Sequence, residues 1–75
     1  MIRVKPEAID RIIAYEQPLL GLAEFASVLL INKQTLTNWR NRHAHDLPPV
    51  EVELAMGPIW KREIVTRWII NKTNR

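Results

Sequence analysis

Two helical patterns separated by only two or three residues constrain this 75-residue chain more than any other feature. Leu22, Phe25, Ala26 and Leu29 recur at helical spacing, which predicts a helix from Leu22 to about Leu29 or Leu30 with those side chains inward. Gly21 is an acceptable N-cap, and Glu24 sits favourably near the positive end of the helix dipole. Asn32 is a strong N-cap for a second helix over Lys33–Arg42, where Leu36 and Trp39 lie three apart on one face. Lys33, Gln34, Thr37, Asn38 and Asn41 then occupy the opposite surface. Helices joined so tightly do not lie antiparallel comfortably; they cross steeply, as in a helix-turn-helix.

The flanking segments follow from prolines and from a change of period. Pro6 can open a helix running from Glu7 to about Glu16, with Ala8, Ile9, Ile12 and Ile13 on one face. Pro18 stops it, because the residue before a proline is biased away from helix. This first helix either completes the core or exposes a dimerisation surface, and completing the core is the expectation. Beyond the loop at residues 43–49, Val50, Val52 and Leu54 alternate with Glu51 and Glu53, which predicts a short strand with one buried face. Ala55-Met56-Gly57 reads as a turn and Ile59-Trp60 as the returning strand, with Pro58 confined to its start or edge. A last helix from about Lys61 to Asn71 turns Ile64, Val65, Trp68 and Ile69 inward.

Composition decides which chemistries remain. With no cysteine there is neither a disulfide framework nor a thiolate metal cluster, so an apolar share of 47% must hold the fold. Three of the five aromatics are Trp, each at an inward position of its element, which suits a small core better than a stacking platform for bases. His43, His45 and Asp46 lack a further supporting ligand, so no metal site is expected. No nucleophile has a neighbouring base, no Gly-rich loop cradles a phosphate, and Glu51 with Glu53 reads as the wet face of a strand; an enzyme is not expected. Met1–Pro6 has no apolar leader pattern and the apolar run Val28–Ile31 is far below the roughly 20 residues of a membrane span, so a cytoplasmic protein of a bacterial or phage-infected cell, associated with the nucleoid, is expected.

The residues Leu22-Ala23-Glu24-Phe25-Ala26 and Leu29 to Trp39 resemble the winged helix-turn-helix of the MerR-like and excisionase superfamily. There an apolar–Ala pair packs the first helix, a small polar residue caps the second, and an aliphatic and an aromatic residue four and seven positions later anchor it; here these are Asn32, Leu36 and Trp39. Gly57 to Val65 is similar to the family's wing exit, an aromatic followed by a basic-acidic helix start. The resemblance spans roughly residues 20–70 and implies a fold that is mainly α with a small two-stranded β-wing: an N-terminal helix, the helix-turn-helix, the wing and a C-terminal helix in one domain over residues 1–75. Residues 1–19 would be a helical extension. Two departures stand out. The turn position that is often Gly is Leu30, where a left-handed conformation would cost on the order of 1 kcal/mol more than Gly, so another turn shape or a shifted boundary is expected. The wing carries Glu51 and Glu53 where a DNA-gripping wing would carry cations.

A net charge of +3 from 11 Lys and Arg against 8 Asp and Glu is modest, but Lys33 to His45 holds three Lys and Arg and no acid. Gln and Asn side chains can bond the adenine edge bidentately and Lys the guanine edge, and the N-terminal part of such a helix enters the major groove. The expected base readers are therefore Lys33, Gln34, Thr37, Asn38 and, further along, Asn41. Thr35, Arg40 and Arg42 are placed for phosphate, with Lys61 and Arg62 as further phosphate contacts. The resemblance implies sequence-specific binding of double-stranded DNA without a cofactor, as an excisionase-type recombination directionality factor or a small transcriptional regulator. Its partners would be duplex DNA, a second copy or a cooperative assembly on DNA, and an integrase or other DNA-bound protein, but no membrane. The alternatives are a protein-interaction module on the same fold and the DNA-recognition subunit of a phage packaging terminase.

Overall fold

Pro6 directly precedes the first helix, α1 (Glu7–Ala14), which ends two residues earlier than its pattern suggests. The computed structural model describes residues 2–73. Ala8 and Ile12, one turn apart, are buried, and Ile9 packs against the core from its edge. Ile13 does not share that face: it lies one residue further round the helix and is 69% exposed. α1 packs on both the second and the last helix, so it completes the core as expected. The Arg11 guanidinium donates to the Ser27 carbonyl at 3.2 Å and to its hydroxyl at 3.1 Å, fastening the end of α1 to the next helix.

After Pro18 the chain forms a two-residue strand, β1 (Leu19–Leu20), before α2 (Leu22–Leu29) begins. The Glu24 carboxylate accepts from the Gly21 N–H at 3.1 Å, satisfying a backbone donor at the helix start. A Cβ at position 21 would lie 2.7 Å from that carboxylate oxygen, so a larger residue there would displace the flexible Glu24 side chain from this bond. α2 ends at Leu30 with φ 62° and ψ 36°, a left-handed cap whose N–H meets the Ser27 carbonyl at 3.1 Å. The left-handed turn is therefore present with the boundary unshifted, and the expectation of another shape is corrected. A Leu here carries a strain of about 1 kcal/mol relative to Gly. α3 (Lys33–Arg42) follows, capped by the Asn32 side chain accepting from the Thr35 N–H at 2.7 Å.

A single 3-10 turn over Ala44–Asp46 leads to β2 (Val52–Leu54) and β3 (Gly57–Lys61), then α4 (Arg62–Thr73). The expected strand pair is thus real but joined by β1 into one antiparallel sheet of order β1-β3-β2. Leu20 pairs with Trp60 and Leu19 with Lys61. Lys61 closes β3 instead of opening α4. Gly57, at φ 131°, supplies a backbone conformation that side-chain-bearing residues rarely adopt, right after the Ala55–Met56 turn. The strand expected to bury one face does not: Val50, Val52 and Leu54 are all exposed. β2 is an edge strand, and among the described residues its apolar row stays in solvent.

The centre of the core is aromatic. Trp60 is fully buried against Phe25 with ring centroids 4.7 Å apart at 66°, and Trp68 approaches Phe25 at 5.7 Å and 77°. Such edge contacts are worth about 0.5–1.5 kcal/mol each beyond area burial. Both indoles find acceptors in the loop after α3: Trp60 Nε1 donates to the Pro48 carbonyl at 3.0 Å, and Trp68 Nε1 to the Asp46 carbonyl at 2.7 Å. These bonds tie that loop to the sheet and to α4 and so fix the far end of α3. Among the described residues, no helix is long and apolar enough to cross a membrane.

Candidate nucleic-acid interface

α3 presents three lines of side chains around a buried anchor, because residues three and four apart stack on one helical face. Leu36 is fully buried and Trp39 packs against the core, so the opposite surface is forced outward. The outermost line is Gln34, Asn38 and Asn41, all exposed. The Gln34 amide donates to Asn38 Oδ1 at 3.3 Å, so two of these side chains are already mutually oriented. On one flank lie Lys33, Thr37 and Arg40, facing the β2–β3 hairpin. On the other lie Thr35, Trp39 and Arg42.

The first flank is held by specific contacts. Arg40 donates to Glu53 Oε1 of β2 at 2.9 Å. Lys33 lines a shallow groove together with Leu54, Met56 and Gly57 of the hairpin and Gly21 at the start of α2. The Thr37 hydroxyl donates to the Lys33 carbonyl at 3.0 Å, which leaves its oxygen as an acceptor. Thr35 is half-buried, its N–H engaged by the Asn32 cap. Arg42, in the last turn, is exposed, and no ion pair involves it or Lys33 among the described residues. A cation there also complements the negative end of the helix dipole.

The expected phosphate residues outside α3 sit elsewhere. Lys61 lies 3.7 Å from Glu51 and is the register partner of Leu19. The Arg62 guanidinium donates to the Tyr15 carbonyl at 3.0 Å, and its backbone N–H donates to the Pro18 carbonyl at 2.9 Å. Arg62 therefore joins the segment after α1 to the start of α4. The structure spreads the eight α3 residues over three neighbouring lines of that helix, with Thr35 half-buried and Arg40 paired to Glu53, while Lys61 and Arg62 occupy the junction of β3 with α4.

The two ion pairs of the hairpin were not legible beforehand. Acidic residues alternating with apolar ones mark a wet strand face, but nothing local says that Glu53 meets a helix 13 residues earlier. An available signal was charge balance, since acids on a strand following an acid-free basic helix have natural partners there. Partly exposed pairs of this kind contribute only about 0.2–1 kcal/mol to stability, so their main effect is on local charge. Glu53 and Glu51 offset Arg40 and Lys61, leaving Lys33 and Arg42 as the α3 cations without an ion pair among the described residues. Among the described residues, no three His, Cys, Asp or Glu side chains cluster to hold a metal. Compared with family models, curated proteins and solved structures, the chain shows no match.

Proposed function

We propose that this chain is a winged helix-turn-helix domain that binds double-stranded DNA, with α3 lying in the major groove and the β2–β3 hairpin as its wing. The observation that carries the reading is the exposed, acid-free line Gln34–Asn38–Asn41 on a capped helix anchored by buried Leu36. Two amides already bonded to each other lose less side-chain freedom when they meet a base edge, and Asn or Gln reads adenine bidentately. Lys33 at the N-terminal end is the guanine reader, while Thr35 and Arg42 bond phosphate from the flank away from the hairpin. Arg40 reaches phosphate only by leaving Glu53. The biological role is that of an excisionase-type directionality factor or a small transcriptional regulator, acting by placing protein on DNA without a cofactor.

The test begins with selection of a preferred site from a randomised duplex library. Asn38→Ala is then expected to lose about 1–3 kcal/mol on that site and to relax discrimination at one or two positions. Arg42→Ala should weaken all duplexes alike. If the two variants behave alike, the division into readers and positioners is wrong.

One observation favours a second reading, a protein-interaction module on the same fold. The hairpin is acidic at Glu51 and Glu53, and its apolar row is exposed, neither of which serves contact with a phosphate backbone. Failure of every duplex to bind, with the hairpin row still active in association, would favour it.

A further inference from the structure

We infer that the groove between α4 and the loop after α3 docks an acidic, apolar peptide segment of a partner protein. The groove encloses about 720 Å³ and runs along α4 from Ile64 to Lys72. That stretch rises about 12 Å, room for about four extended residues. Ile64, Trp68 and Asn71 fall on one side of α4 by helical spacing, and Leu47, Pro48 and Pro49 of the loop form the other wall. That wall is held in place, because Trp68 Nε1 donates to the Asp46 carbonyl at 2.7 Å and Trp60 Nε1 to the Pro48 carbonyl at 3.0 Å. The groove shares no residue with α3 or the β2–β3 hairpin, so it adds to the duplex-binding reading and does not depend on it.

Charge and hydrogen bonding say what the groove takes. Arg67 and Asn71 are exposed along it and Lys72 lines it beyond them. Neither Arg67 nor Lys72 has an ion pair among the described residues. The one carboxylate lining the groove, Asp46, lies 3.9 Å from the His45 imidazole on the loop side. The loop backbone is spent: the Asp46 and Pro48 carbonyls already accept from the indoles, Pro48 and Pro49 have no N–H, and the Leu47 N–H donates to the Ala44 carbonyl at 3.2 Å. Polar recognition therefore falls to the α4 cations, which call for an occupant with carboxylates. A phosphate strand would also meet those cations, but Ile64, Leu47 and the prolines between the walls need apolar side chains against them. Stacked bases are not served either. Trp68 already meets Phe25 at 5.7 Å and 77°, and the Lys72 ammonium lies 5.9 Å from its ring centroid. An acidic peptide with aliphatic or aromatic residues beside its acids satisfies both halves of the groove.

The test is selection of a randomised, phage-displayed peptide library on the full chain, which should enrich sequences that combine acidic with apolar residues. The best of them, synthesised and added to isotope-labelled chain, should shift the Trp68 indole signal and the Arg67 and Asn71 amides, and leave those of Val52–Leu54 in place. Arg67→Glu, with unchanged circular dichroism, should weaken the peptide about tenfold or more, and so should Gln in place of its acids. Arg42→Glu makes the same charge change on α3 and should alter affinity by less than about twofold. Four results overturn the proposal: no enrichment, enriched peptides without acids, signals moving at the hairpin instead, or equal weakening by the two charge reversals. A random-sequence duplex that displaces the peptide and shifts the same Trp68 signal would give the groove to phosphate and overturn it too. The peptide measurements contain no DNA, so their failure is distinct from failure of the duplex-binding reading.

Discussion

Asn32 separates what holds α3 in place from what α3 meets. Its Oδ1 accepts from the Thr35 N–H at 2.7 Å, satisfying one of the donors left open at the start of the helix. Asn32→Ala removes that acceptor and should cost about 1 kcal/mol, within a range of about 0.5–2. In a domain of this size, that lowers the thermal midpoint by roughly 4–8 °C. Asn32→Asp keeps an oxygen in the same place and adds a negative charge at the positive end of the helix dipole, a gain of about 0.3–1 kcal/mol. Thermal melts followed by circular dichroism should therefore order the variants Asp, wild type, Ala, from most to least stable. Duplex affinity should follow a different order. A new carboxylate at the N-terminal end of a helix seated in the major groove faces phosphate, so Asn32→Asp should bind worst, most clearly at low salt, although it is the most stable. If Ala and Asp lower the midpoint equally, the side chain is not acting as a cap. If Asn32→Asp binds duplex as well as the wild type, the N-terminus of α3 does not approach DNA.

Glu53→Gln releases Arg40, and tighter duplex binding is expected with a log–log salt slope steeper by about one unit; an unchanged slope would mean that Arg40 does not reach phosphate. Trp60→Phe leaves the buried Pro48 carbonyl without its donor and opens space beside Phe25, so urea denaturation should show a loss of about 2–4 kcal/mol at an unchanged m-value. Ile12→Ala should cost about 2–5 kcal/mol, whereas its neighbour Ile13→Ala should stay within about 0.5; similar costs at both positions would contradict a buried face of α1 that holds Ile12 and leaves Ile13 out.

The helical half of the fold was legible because its signals are local. Asn32 caps where a capping residue should, and Leu22–Leu29 and Lys33–Arg42 have the bounds that their periodicity implies. Where signals compete, reading fails in understandable ways. Ile13 belongs to the apolar stripe by hydropathy, but an eight-residue helix packed between two others buries only a narrow face, through Ala8 and Ile12. Leu19-Leu20 is too short to show a period of two, and only its pairing with Lys61 and Trp60 makes it a strand. Val50, Val52 and Leu54 carry the alternation of a half-buried strand, yet an edge position decides burial, and strand order cannot be read from alternation alone. Leu30 shows the reverse case, a residue that disfavours the left-handed region held there by a turn of three residues between two packed helices. For the candidate site, the outward lines of α3 follow from helical geometry, whereas the Arg40–Glu53 pair depends on a contact between segments 13 residues apart that only the folded chain brings together.

The most direct test of DNA binding by α3 is the salt dependence of duplex affinity. Arg42 on phosphate, with the Lys33 cation seated in the major groove, should give a log–log slope of roughly −1 to −2, and Arg42→Ala should reduce its magnitude by about one. Undetectable binding at low salt to every duplex in a randomised pool, or an affinity indifferent to salt, would contradict it.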